Sequence, residues 1–136
     1  MLLKKVLSVI LLSMLLAACG VSSPATEITV TMTEFGFEPN TINVTAGEPV
    51  KLTLVNNGAV EHDFAVEVIP VENVSTEGMD MDHMSGDHAE FDLHTATGPG
   101  ETSVLKFTPT APGTYKIICS VPGHLEAGMT GELIVK

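Results

Sequence analysis

The chain has 136 residues, with six Lys, no Arg and 17 acidic residues, giving a formal net charge of −11 with His neutral. This balance excludes nucleic acid and anionic lipid as general partners, whereas basic protein surfaces are steered toward it. The length fits one domain that can bury a core without disulfide staples, and only two Cys are present.

The N-terminal stretch stands apart from the fold. Lys4 and Lys5 precede the apolar run Val6–Ala18, which only Ser8 and Ser13 interrupt. A basic start, a short apolar segment and small residues before a cut describe a secretory signal, too short to span a bilayer comfortably. The run ends in Leu16-Ala17-Ala18-Cys19. That tetrapeptide resembles the bacterial lipoprotein signal, which implies that Cys19 receives lipid and becomes the new N-terminus. Loss of residues 1–18 from 136 leaves 118, and loss of Lys4 and Lys5 leaves four Lys against 17 acidic residues, a net charge of −13. Residues 19–26 then form a lipidated tether of Gly, Ser, Pro and Thr character. The expected location is extracytoplasmic, on the periplasmic side or cell surface of a bacterial membrane, with the lipid as the sole membrane contact.

From residue 27 to 136 the pattern is β. Ile28–Met32, Ile42–Val44, Val50–Val55, Phe64–Val68, Val104–Phe107, Tyr115–Ile118 and Leu133–Val135 are short, apolar on alternate positions and rich in β-branched residues. Turn residues separate them, at Ala46–Pro49, Asn56-Asn57-Gly58, Gly98-Pro99-Gly100 and Ala111-Pro112-Gly113. About seven to eight strands without helical periodicity predict an all-β, antiparallel Greek-key sandwich. The stretch of about 70–100 interrupts the pattern. It carries Met79, Met81, His83, Met84 and His88 among acidic residues and reads as a mobile loop inserted between two strands. His94, beyond those residues in a strand-like Phe91–Thr95, is expected at the surface.

The chemistry lies near the C-terminus. Cys119, His124 and Met129 follow one another at C-x4-H-x4-M spacing between the last two strands, and His62 lies upstream. With Cys19 lipidated, Cys119 is alone in an oxidising compartment, where a thiol persists most readily when a metal holds it. One thiolate, two imidazoles and a weak thioether form the trigonal set that suits one copper ion. Thiolate and thioether favour Cu(I), imidazole tolerates Cu(II), and a rigid cage that suits both lets an electron move with little rearrangement. Singly, each residue also has a plain structural use: His62 as a turn residue, Cys119 as a small buried apolar group, Met129 as core filler.

This arrangement resembles the cupredoxins, and the ligand loop is most similar to those of the auracyanins and rusticyanins; azurins and plastocyanins have shorter gaps. Phe35-Gly36-Phe37, Pro39, Ile42–Gly47, Pro112–Tyr115 and Gly131–Val135 also read as cupredoxin framework. The resemblance covers nearly the whole mature chain outside the Met/His-rich stretch. It implies a mononuclear type 1 (blue) copper protein that carries single electrons between membrane-associated partners, such as a c-type cytochrome or a membrane oxidoreductase or oxidase, as a monomer. It also implies that the edge of His124 reaches the surface through an apolar patch of Pro122, Gly123, Leu125, Ala127 and Gly128, with Pro39 and Ala59 nearby. Where cupredoxins commonly have Asn or Ser after the first ligand, this chain has Asp63. Asp63 is expected to accept hydrogen bonds from the Ser120 amide or hydroxyl, tying the ligand loops together and favouring Cu(II).

A different class of function is copper delivery or storage, with Met79, Met81, His83, Met84 and His88 forming a second copper site. Enzymatic activity is not expected. Multicopper oxidases and copper nitrite reductases need further His clusters and a second copper domain, a binuclear copper centre needs two thiolates in the loop, and the chain has five His and only Cys119 there.

Overall fold

The computed structural model describes residues 23–78 and 91–136. The expected signal, Cys19 and the first part of the tether lie outside the described residues, as do Met79, Met81, His83, Met84 and His88. Ten strands follow in order among the described residues: β1 (Thr26–Thr33), β2 (Gly36–Glu38), β3 (Thr41–Val44), β4 (Val50–Asn56), β5 (His62–Val66), β6 (Val71–Glu77), β7 (Leu93–Thr97), β8 (Thr102–Pro109), β9 (Gly113–Ile118) and β10 (Thr130–Val135).

They form two five-stranded sheets, in the orders β2-β1-β4-β8-β6 and β3-β10-β9-β5-β7. Period-two patterning makes the layers. Val50, Leu52, Leu54 and Asn56 point inward along β4, and Ser103, Leu105 and Phe107 along β8. Residues between them face the other way, because successive side chains on a strand alternate. Val30, Met32, Leu52, Leu54, Leu105 and Phe107 of one sheet enclose a single core with Ile42, Phe64, Leu93, Ile117 and Leu133 of the other. Each such side chain removed from water contributes about 1.5–3 kcal/mol. Phe37 and Phe64 meet edge to face there, with ring centroids 6.0 Å apart.

The all-β sandwich is as expected, with two corrections. The sheets are mixed, because β1 runs parallel to β4 and β3 parallel to β10. Apolar alternation encodes which face is buried and carries no information on strand direction. The stretch 70–100, expected as a loop apart from the strand-like Phe91–Thr95, contains β6 and β7. β6 is an edge strand whose residues are mostly exposed, with a register shift between Glu72 and Ser75 and a positive φ of 55° at Asn73. A strand with no buried face leaves no alternating signal, and a bulge breaks what remains. The fold brings the start of β5, the end of β9 and the start of β10 to one end of the second sheet, and this end holds the chemistry.

Candidate metal centre

Asn56, fully buried at the end of β4, builds the approach to the first histidine. Its side-chain amide donates to the carbonyls of Val60 and Thr97, both at 2.8 Å, and its oxygen accepts from the Gly58 amide at 2.8 Å. The loop of residues 57–61 is therefore folded onto the sheet, and His62 enters β5 fully buried. Gly58 is required by space: a Cβ there would lie 2.6 Å from His62 Nε2.

The second approach is the loop after β9. The His124 amide donates to the Val121 carbonyl at 3.0 Å, Ala127 to Gly123 at 3.1 Å, and Met129 to His124 at 3.0 Å. Gly123 and Gly128 take φ of +87° and +97°, a region that L side chains avoid. The Cys119 amide donates to the Met129 carbonyl at 3.2 Å, closing the loop on itself. Cys119 and Met129 are fully buried, and His124 is half-buried.

These two loops bring His62, Cys119 and His124 together, with one ligand atom from each lying within 4.8 Å of the others. His62 Nδ1 and His124 Nδ1 are 3.2 Å apart, and Cys119 Sγ is 3.3 Å from His124 Nδ1. Two imidazole nitrogens each about 2.0 Å from a shared ion must stand roughly 3.2–3.5 Å apart. The donor set passes that test.

Electrostatics points the same way. Burial pushes the His62 pKa down, and the neighbouring His124 adds to the shift, so the ring is held neutral with a lone pair to offer. Burial pushes the Cys119 thiol up, against the amides of Asp63 and Val121 that favour thiolate. The Asp63 amide lies 3.3 Å from Cys119 Sγ. A thiol that burial keeps protonated beside the neutral His62 ring becomes a thiolate once a cation supplies the missing charge.

A pH dependence follows for the metal-free protein. The folded-state pKa of His62 lies below its unfolded value of about 6.5. As pH falls through that value the unfolded chain takes up a proton that the buried ring resists, so the unfolded state gains. The contribution is fully present above about pH 6.5 and is lost as pH falls from there to the folded-state pKa. Urea midpoints of metal-free protein should fall in this window, and His62→Phe should flatten the fall; an equal slope in the variant would contradict the assignment.

Around these three candidate ligands lie Asp63 and Ser120, which the sequence singles out, and further residues that it does not. The Asp63 carboxylate accepts from the Ser120 hydroxyl, and His94 Nε2 lies 3.3 Å from the same oxygen, Oδ2. His94, expected at the surface, has a side chain only 11 % exposed. Nothing in its local sequence signals this, because the partner comes from across the β5–β7 ladder. Phe35, read only as framework, sits at φ +63° in the β1–β2 turn, its ring edge-on to His124 with centroids 5.4 Å apart. In the same turn the Glu34 carboxylate accepts from the Ala59 amide, which holds its pKa below the usual range. Phe35 (49 % exposed), Val60 (46 %) and Leu125 (37 %) leave apolar surface on these loops.

The profile of the Cupredoxin-like domain family matches residues 6–135 of this chain. The chain belongs to that family. This cupredoxin is 32% identical over 104 residues to the copper-resistant cuproprotein CopI of Rubrivivax gelatinosus, a match covering 74% of the chain and 59% of the relative. It therefore spans less than two thirds of that protein's length. It is 31% identical over 147 residues to auracyanin-A of Chloroflexus aurantiacus, covering 91% of the chain and 90% of the relative. Among solved structures, auracyanin B superposes on this cupredoxin with a TM-score of 0.63 at 24% identity, over 84% of the chain and 91% of the other, a likeness of fold.

Proposed function

We propose that this cupredoxin would hold one copper ion with His62, Cys119 and His124, the Met129 thioether adding a weak fourth donor, and that it carries single electrons rather than catalysing a reaction. The observation that carries this reading is the convergence of two Nδ1 atoms and one buried thiol on a point enclosed by hydrogen-bonded loops. Copper bound there would supply one-electron Cu(I)/Cu(II) chemistry. The chain's part is to fix the donors before the metal arrives. Gly58 lets His62 lie close under its own loop, the Asp63 amide steadies the sulfur, and the Asn56 and Cys119–Met129 bonds keep the two loops in place.

The electron would leave through His124, whose ring is half-buried against Phe35. Carriers exchange fastest through small contacts that form and part quickly, so an apolar opening on an acidic protein suits a redox partner. Such partners would be a c-type cytochrome or a membrane oxidoreductase or oxidase, met at an extracytoplasmic membrane surface where lipid on Cys19 tethers a monomer. Leu125→Asp should slow electron exchange with a c-type cytochrome by about tenfold, equivalent to about 1.4 kcal/mol of activation free energy, while the visible spectrum of the copper form stays unchanged. Stopped-flow mixing measures the first and absorption the second. An unchanged rate would place the port elsewhere.

A second reading has its own support, the similarity to a copper-resistant cuproprotein together with Met79, Met81, His83, Met84 and His88. In it the thioethers and imidazoles of this segment capture a further copper for delivery or storage. Deleting residues 79–90 separates the two. A carrier keeps one tightly bound copper and its redox cycle, whereas a delivery or storage protein loses a second, labile equivalent.

A further inference from the structure

Asp63 is held from three directions. Its backbone belongs to β5, one residue beyond His62, and its amide donates to Cys119 Sγ at 3.3 Å. Its Oδ2 receives the Ser120 hydroxyl from the cysteine loop and, at 3.3 Å, the Nε2 of His94 from β7. The β5–β7 register makes this reach feasible: Asp63 pairs with Ala96 and Ala65 with His94, so the imidazole lies two residues along the neighbouring strand on the diagonal. The two side chains are 11 % and 10 % exposed, so water screens little of the contact. Phe91 stacks on the His94 ring, with centroids 5.7 Å apart and planes 21° apart, which fixes the plane in which Nε2 points.

We propose that His94 is a positioning residue for the metal centre, acting through Asp63: its Nε2–H anchors the carboxylate that ties the first-histidine strand to the cysteine loop. This rests on the copper reading above. The Ser120 hydroxyl and His94 reach Oδ2 from different elements, so His94 restricts the turning of the carboxylate about its side-chain torsions beyond what the Ser120 bond does. The Ser120 side chain, next in sequence to Cys119, and the Asp63 amide on Cys119 Sγ are then fixed together. Loss of His94 therefore reaches the sulfur from both sides.

The test uses both the metal-free and the copper-loaded full chain. In metal-free wild type, nitrogen–proton NMR should show a slowly exchanging Nε2–H on His94; its absence overturns the proposal without any variant. In His94→Phe the Asp63 amide should lose at least tenfold in exchange protection, and the thiolate-to-copper band should shift. His94→Gln, which keeps a donor, should recover most of both. In an Asp63→Ala background His94→Phe should produce no further band shift. The proposal fails if His94→Phe leaves amide and band unchanged, or shifts the band equally with Asp63 removed. A wild-type chain that takes up copper without developing the band defeats the copper reading instead, and the two failures are thereby distinct.

Discussion

Cys119→Ser should abolish the stabilisation that copper confers while leaving the metal-free fold almost unchanged. At a free copper concentration about a thousandfold above the dissociation constant, binding to the folded state adds about 4 kcal/mol, or roughly 10–20 °C in the thermal midpoint of a domain this size. Serine is close in volume to cysteine and keeps the backbone bond that closes the loop, the 3.2 Å contact from the residue 119 amide to the Met129 carbonyl. What it removes is a soft anion. A hydroxyl in the position of a thiol that burial already keeps protonated will not ionise there, so His62 and His124 remain as a poor two-nitrogen site. Differential scanning calorimetry with and without copper checks this. A variant that retains the full copper-induced shift would mean that the sulfur is not a ligand.

Asn56→Leu should destabilise the metal-free protein by about 2–4 kcal/mol, since each buried partner left without its bond costs about 1–3 kcal/mol. Leucine matches the volume and fills the same fully buried position. It abandons the Thr97 carbonyl in the interior, while the Val60 carbonyl and the Gly58 amide lie nearer the surface and recover some bonding from water. The cost therefore stays below three full penalties. The loop of residues 57–61 also loses its anchor to β7, so His62 should become mobile and copper should leave faster. Urea unfolding gives the stability and competition with a chelator gives the release rate. A change below about 1 kcal/mol, the net worth of an ordinary hydrogen bond, would show that the loop stands without Asn56.

The candidate ligands that converge were legible because donor type and spacing are written directly in the chain: Cys119 and His124 share one short loop, and His62 stands alone at the head of an apolar strand. The central strands were legible because half of each faces the core. Legibility ended where a role depends on a neighbour brought by the ladder. His94 looks like any polar residue of a half-buried strand until register places it diagonally from Asp63. Asn56 reads as a turn former, as Asn before Asn-Gly usually does, and its three bonds exist only once Thr97 lies beside it. Phe35 gave a framework signal, but its contact with His124 requires the β1–β2 turn to fold over the loop that follows β9. β6 was hidden for the opposite reason: as an exposed edge strand it owes its place to pairing with β8, which composition does not encode.

The visible absorption spectrum of oxidised, copper-loaded full-length protein tests the central claim most directly, because only a cupric ion bonded to thiolate sulfur gives an intense charge-transfer band toward the red. A blue solution whose Cys119 resists alkylation until the metal is removed is the predicted result. A colourless copper-loaded protein with that thiol still freely alkylated would contradict it.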